Sequence, residues 1–472
     1  MRAPGVPAIG QGDFMKKTFL SFLILFFAGF TRLFAAYNSL GIPDSAEIRK
    51  TLIEEWFEAP LQTVRTNNAF ETRNQIGEEF QVRLEEDDQY FYIFVAPHSI
   101  LTVNVYTSKK SYTEQQDYYP GDLAGSFVLI RDKKTGDALC ARYYFLKDSG
   151  VYVQFTPYGK AALADLVIFD NYAARGVATG LPFSYFYSAS IEDVMSVTKN
   201  KLPWSYVLTA QNEYHSVRQM ITLIDEALPA ILYCPDAMYD EEAKLIHVRD
   251  GSPFLYEQLP QTEINKSIFL SSAGFLKWIC DGLVEPIAGS LLKREPLVKE
   301  TISSKETGRK GVLSQKYDLY FGLNWVRNLA SAVISVYANK NYMFNQSGVD
   351  VTINPFAASI TSQGISSTVT FIENTGYKIE VLKSLLYVLA AENPDTFYLG
   401  AIRETDRNAS PEVSVFNQNA AFFPYFNDNG AFDCVIFMNG QKMTLDFFLK
   451  NYKDCFVYLT RVKASDQFFP VK

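Results

Sequence analysis

The chain carries 44 Lys and Arg against 52 Asp and Glu over 472 residues, a formal charge of −8. Such an acidic balance excludes most nucleic-acid binders, whose phosphate contacts need clustered cations, and it argues against anionic lipid surfaces. The length allows two or three domains, and 15% aromatic residues with only three histidines predict a β-rich protein with a large core.

At the N-terminus, Met15-Lys16-Lys17 precedes an almost wholly apolar run from Thr18 to Phe30, then Thr31-Arg32-Leu33-Phe34-Ala35-Ala36. A basic start, a short apolar run and a small-residue exit predict a secretory signal peptide over residues 1–36, with Met15 as an alternative start. The run is short against the roughly 20 residues of a bilayer span. No cysteine follows it to carry a lipid. The expected destination is the periplasm or cell envelope of a bacterium. Removing Arg2, Lys16, Lys17 and Arg32 together with Asp13 leaves 40 basic and 51 acidic residues, a net charge of −11. No later stretch has the length and apolarity of a transmembrane helix, so none is expected in the mature chain.

Residues 44–58 predict a first helix, with Asp44 as its cap and Leu52, Ile53, Trp56 and Phe57 on one face. From about residue 78 the period changes to two. Strands are expected at 79–84, 89–95, 100–106, 125–131, 139–146, 151–155 and 163–169, separated by turns such as Pro120-Gly121-Asp122 and Asp148-Ser149-Gly150. Seven short strands at this spacing suggest a β-sandwich or small barrel, giving a first domain over 37–175.

The remainder, 176–472, reads as an α+β domain. Helices are expected at 191–197, 213–228, 271–291, 323–337, 377–392 and 445–452. Strands are expected at 230–233, 245–248, 396–403, 413–416, 420–423, 431–437 and 456–462. A Lys-, Glu-, Ser- and Thr-rich stretch near 292–316 suggests a mobile, solvated insertion.

Chemistry-bearing motifs are sparse. There is no GxGxxG, no GxxxxGK[ST] and no HExxH, and no Cys/His cluster has zinc spacing, so no cofactor and no metal is expected. Cys140, Cys234, Cys280, Cys434 and Cys455 read as packed thiols, with a Cys434–Cys455 disulfide as the alternative. His98 reads as a turn residue, His215 as the start of a helix and His247 as part of a strand. Tyr425 stands where a calcium loop would need its first carboxylate, so Asn427-Asp428-Asn429-Gly430 reads as a hairpin turn. Tyr112, Tyr118 and Tyr119 could stack on sugars, as any exposed tyrosines could.

The most suggestive segment is Ser271-Ser272-Ala273-Gly274-Phe275-Leu276-Lys277-Trp278. It opens a helix with small hydroxyl residues, and a helix N-terminus stabilises a thiolate placed there. The segment resembles the catalytic helix start of the NlpC/P60 family of papain-fold murein peptidases, an Asp-Cys-Ser-Gly-Phe-type motif. Ser272 then stands at the nucleophile position. Asn419-Ala420-Ala421-Phe422-Phe423 resembles the family's histidine strand, with Asn419 at the histidine position, followed by Asn427–Gly430 and a second strand Phe432-Asp433-Cys434-Val435-Ile436. Asn419 follows Ser272 by 147 positions, so the resemblance implies a large insertion around 290–375.

The degenerate site candidates are therefore Ser272, Asn419 and Asp433. A helix dipole does not ionise a serine as it does a thiol, and asparagine cannot accept the proton. The resemblance implies an exported pseudoenzyme with a papain-like second domain, binding peptidoglycan or an envelope protein without cutting it. The alternatives are an active cell-wall hydrolase with a different site and a purely structural envelope protein.

Overall fold

The computed structural model describes residues 40–106, 110–208, 213–255, 257, 267–302, 318–361, 364–366, 371–407 and 412–471. The expected signal peptide lies outside them. By contacts the chain divides into two units: up to residue 145 with 153–164 and 178–199, and 146–152 with 165–177 and everything from 200 onward. The expected boundary at 175/176 thus becomes an interleaved one, because residues 178–199 return to the first unit.

The seven expected strands are present, with three more. They are β1 (Phe70–Arg73), β2 (Glu79–Glu86), β3 (Tyr90–Pro97), β4 (Ser99–Tyr106), β5 (Ser111–Tyr118), β6 (Phe127–Asp132), β7 (Ala138–Tyr144), β8 (Val151–Tyr158), β9 (Ala161–Ile168) and β10 (Asn171–Ala178). They do not form a sandwich. Eight lie in one sheet, in the order β1-β2-β3-β6-β7-β8-β9-β10, and β4 and β5 pair only with each other. Short connections join β1 to β2 to β3 and β6 through β10 to their sequential neighbours, a meander interrupted between β3 and β6 by the β4–β5 hairpin.

In the first unit, helices cover this sheet where a second sheet was expected. The first helix is α-helical over Ala46–Thr51 and π-helical over Ile53–Phe57, burying Trp56 and Phe57. Phe57 meets Phe127 at 5.5 Å, and Phe155 stacks on Phe186 at 3.7 Å. Asp44 starts two helices at once, accepting from the amides of Ala46 (2.9 Å) and Ile191 (2.8 Å). Arg49, 1% exposed, donates to Ser45 Oγ, the Tyr143 hydroxyl and the carbonyls of Tyr187 and Ala189, so a buried charge is fully partnered.

The second unit confirms α+β. Its short strands are β11 (Ile231–Tyr233), β12 (Ala237–Tyr239), β13 (Leu245–His247), β14 (Ile268–Leu270), β15 (Ser359–Thr361) and β16 (Gly364–Ser366), which pair two by two. Its main sheet joins β17 (Phe371–Ile372), β18 (Gly376–Lys378), β19 (Thr396–Asp406), β20 (Val413–Phe426), β21 (Phe432–Met438), β22 (Gln441–Thr444) and β23 (Phe456–Lys463) in the order β17-β18-β23-β19-β20-β21-β22.

Side chains alternate across this sheet, and both faces are covered. Phe397, Leu399, Ala421, Phe423 and Phe437 face the helices Ser272–Ala288 and Phe321–Tyr337 in one core. On the opposite face Phe422 meets Phe448 at 5.2 Å and Phe426 meets Tyr387 at 5.0 Å, placing the helices Leu382–Glu392 and Leu445–Asn451 there. Residues 377–381, expected as helix, instead begin in β18, which pairs with β23, and a 3-10 turn over Ile379–Val381 leads into Leu382.

The first part of the expected mobile insertion is packed. Leu292, Arg294, Leu297, Thr301 and Ile302 are buried, and Arg294 donates to the carbonyls of Val248 and Arg249. The charge-rich composition concealed this, because Arg294 is paired with main-chain carbonyls and Thr301 with the Asn324 side chain. Residues 303–317 lie outside the described residues. All five cysteines are free thiols, four buried and Cys455 half-buried, so no Cys434–Cys455 bridge forms. Among the described residues no helix is long and apolar enough to cross a membrane.

Candidate functional site

The helix Ser272–Ala288 is the centre of the second unit. Its residues from Ala273 to Val284 are all buried, so it is covered on every side. Ser271 is its N-cap. The Ser271 hydroxyl accepts from the Gly274 amide at 3.1 Å and donates to the Ala237 carbonyl at 3.0 Å. Gly274 is required by close approach, because a Cβ built there would overlap the Ala237 carbonyl oxygen. The small residues of the motif therefore let the helix start press against β12.

Ser272, the nucleophile position, is the first helical residue and half-buried. Its hydroxyl makes no hydrogen bond among the described residues. Asn419 lies in the middle of β20 opposite Ala401 and is 2% exposed. A bulge next to it, where Ile402 faces Gln418 and Arg403 faces Phe416, turns both Phe416 and Asn419 toward the helices. There the Asn419 amide donates to the Gly322 carbonyl at 3.1 Å. Gly322 belongs to the region that the resemblance treated as insertion, and its helix reaches the catalytic-type helix as well, with Trp325 Nε1 donating to the Ala273 carbonyl at 2.9 Å.

Asp433 is exposed on β21, opposite Tyr425. It accepts from the Tyr425 hydroxyl at 3.1 Å and from the Cys434 amide at 2.7 Å. Tyr425 is six residues along β20 from Asn419, about 20 Å at the rise of a strand. That spacing keeps Asp433 away from Asn419, and no hydrogen bond among the described residues joins any two of the three. The turn Asn427–Gly430 forms the β20–β21 hairpin, as its sequence indicates, with Gly430 at φ 77°.

The polar group that the sequence did not single out lies one turn further along the helix. Lys277 and Asp281 are a buried i,i+4 ion pair, Nζ to Oδ2 at 2.7 Å, with side chains 1% and 5% exposed. Asp281 Oδ1 accepts from the Leu292 amide at 2.8 Å. Burial lifts the Asp281 carboxyl to about 6, against the opposing pull of the Lys277 ammonium. The pair lines a cavity of about 240 Å³, walled by Tyr239, Ile268, Leu270, Trp278, Leu291 and Val471. Opposite charges four apart in an otherwise apolar helix were the available signal. Their burial was not visible.

His247 Nδ1 lies 3.1 Å from Asp236 Oδ2, and its ring stacks on Phe254 at 3.8 Å. Cys280 is fully enclosed, and burial pushes its thiol up, which leaves it inert as a nucleophile. Among the described residues no group of three or more His, Cys, Asp and Glu could hold a metal ion.

A family model described as "Domain of unknown function (DUF8515)" matches residues 38–206. The match covers just over a third of the chain and stops short of the Ser272–Ala288 helix. No NlpC/P60 family model matches. No curated protein and no solved structure matches the chain.

Proposed function

We propose that this chain is an exported cell-envelope protein whose second unit is a catalytically degenerate, papain-like domain of the NlpC/P60 kind, binding peptidoglycan without cutting it. The observation that carries this reading is the Asn419 amide. It stands at the base position, buried, and is spent on the Gly322 carbonyl at 3.1 Å. It accepts no proton, and no acid or base hydrogen-bonds the Ser272 hydroxyl among the described residues. The surrounding scaffold supports descent from such an enzyme: a capped helix with a small-residue start packs on the face of an antiparallel sheet that carries the base position. The N-terminal basic and apolar pattern supports export.

The test is co-sedimentation of the purified chain with murein sacculi. Retention in the pellet by both the wild type and Ser272→Ala supports the reading. A soluble chain at all sacculus concentrations overturns it.

An active hydrolase with a different site is the second reading, and one pair favours it. Asp236 holds His247 Nδ1 as a carboxylate orients a general base. No serine or cysteine side chain hydrogen-bonds His247 Nε2 among the described residues.

A further inference from the structure

From the cavity beside Lys277, which borders the Ser272 helix start through Leu270 and Gly274, we infer that the second unit holds a small-molecule site for a largely apolar ligand bearing one uncharged oxygen acceptor such as a ketone, ester or amide carbonyl. A protonated lysine has three N–H donors. Lys277 gives one to Asp281, and the other two have no partner among the described residues. Buried donors are rarely left unpaired, because each costs its full desolvation. Here the residue carrying them lines an open volume.

Charge selects the acceptor. Asp281 already balances the ammonium, and both of its oxygens are engaged, one by Lys277 and one by the Leu292 amide. A ligand carboxylate would place a second anion against one ammonium in a poorly solvated site. A neutral carbonyl takes the free N–H groups without that penalty.

Size and walls select the body. A cavity of ~150 Å³ lined by apolar side chains holds benzene. The present one, about 240 Å³, has room for a substituted ring or a short acyl chain. Trp278 offers its ring and not its N–H, since Nε1 donates to the Val471 carbonyl at 2.8 Å. Specificity then rests on the free Lys277 donors, with Ser267 as a further polar wall residue and affinity from the apolar walls.

The experiment is a ¹⁹F NMR titration of the full chain with 4-fluoroacetophenone, 4-fluoroethylbenzene and 4-fluorobenzoate. The ketone should bind at least tenfold more tightly than the ethyl compound, and the benzoate more weakly than the ketone. Lys277→Met/Asp281→Leu removes the pair while keeping the apolar volume. It should bind the ethyl compound as the wild type does and lose the ketone preference. Ile268→Trp, which fills the cavity, should abolish binding of all three. Equal affinities for ketone and ethyl compound, a ketone preference that survives in the double variant, binding that survives Ile268→Trp, or no binding at all would overturn the inference.

Discussion

The side-chain amide of Asn419 donates to the main-chain carbonyl of Gly322, 97 residues away in sequence, at 3.1 Å. Backbone approach makes the pairing tight. A Cβ at residue 322 would lie 2.8 Å from the Phe416 carbonyl oxygen and 3.2 Å from Asn419 Nδ2. Asn419 is therefore a structural clamp between β20 and the helix Phe321–Tyr337. Asn419→Leu should cost about 1–3 kcal/mol in urea unfolding, the range for leaving a buried partner unpaired. Asn419→His should not restore chemistry, because the helix occupies the space in front of it. A variant as stable as the wild type would show that the bond contributes nothing.

The start of the Ser272–Ala288 helix depends on its small residues. Ser271→Ala loses the cap to the Gly274 amide and the bond to the Ala237 carbonyl, and should cost about 1–2 kcal/mol. Gly274→Ala forces a methyl into that carbonyl and should cost about 3 kcal/mol or more. Thermal unfolding of the two variants checks the order, and Gly274→Ala must be the worse.

Much of this architecture was legible. Alternation marked six strands of the first sheet and β4 of the separate hairpin, and the Ser271–Gly274 segment marked a helix start correctly. The misses share a cause: partners far away in sequence. β5 is polar on both faces and is a strand only because β4 pairs with it. β20 reads as two strands because Asn417-Gln418-Asn419 interrupts its apolar run, and that interruption is the bulge. The walls of the cavity include the three-residue strands β12 and β14, too short to carry a periodic signal. The sequence did not single out Lys277 and Asp281, because the packing that buries them comes from β14 and the residues after the helix.

The Lys277–Asp281 pair should behave as a unit. Lys277→Met alone strands a buried carboxylate and should cost about 3–5 kcal/mol, whereas breaking both charges together is often near neutral. Lys277→Met/Asp281→Leu should therefore be more stable than Lys277→Met. The Leu292 amide left without its acceptor limits the recovery by about 1–3 kcal/mol. A double-mutant cycle in denaturant gives the coupling, and additive single costs would contradict it.

Asp148 supplies a pH-dependent term. Burial raises its carboxyl to about 6, while the Phe432 amide, donating at 2.9 Å, and the charge of Lys383 pull it down less strongly. Between the ordinary carboxylate range and about 6 the folded chain holds a proton that the unfolded chain releases. This group's contribution therefore falls as pH rises through that window, and is least favourable above it. Asp148→Asn keeps an acceptor for Phe432 and removes the charge. At pH 8 it should be more stable than the wild type by about 1–3 kcal/mol, and the difference should vanish near pH 4. A difference independent of pH would contradict the assignment.

The most direct measurement of the central claim is release of soluble muropeptides. Purified chain is incubated with murein sacculi, and the supernatant is analysed by mass spectrometry beside a Ser272→Ala control. The account predicts no release above the buffer blank by either protein, with both found bound to the pellet. Muropeptide release by the wild type that Ser272→Ala abolishes would contradict it.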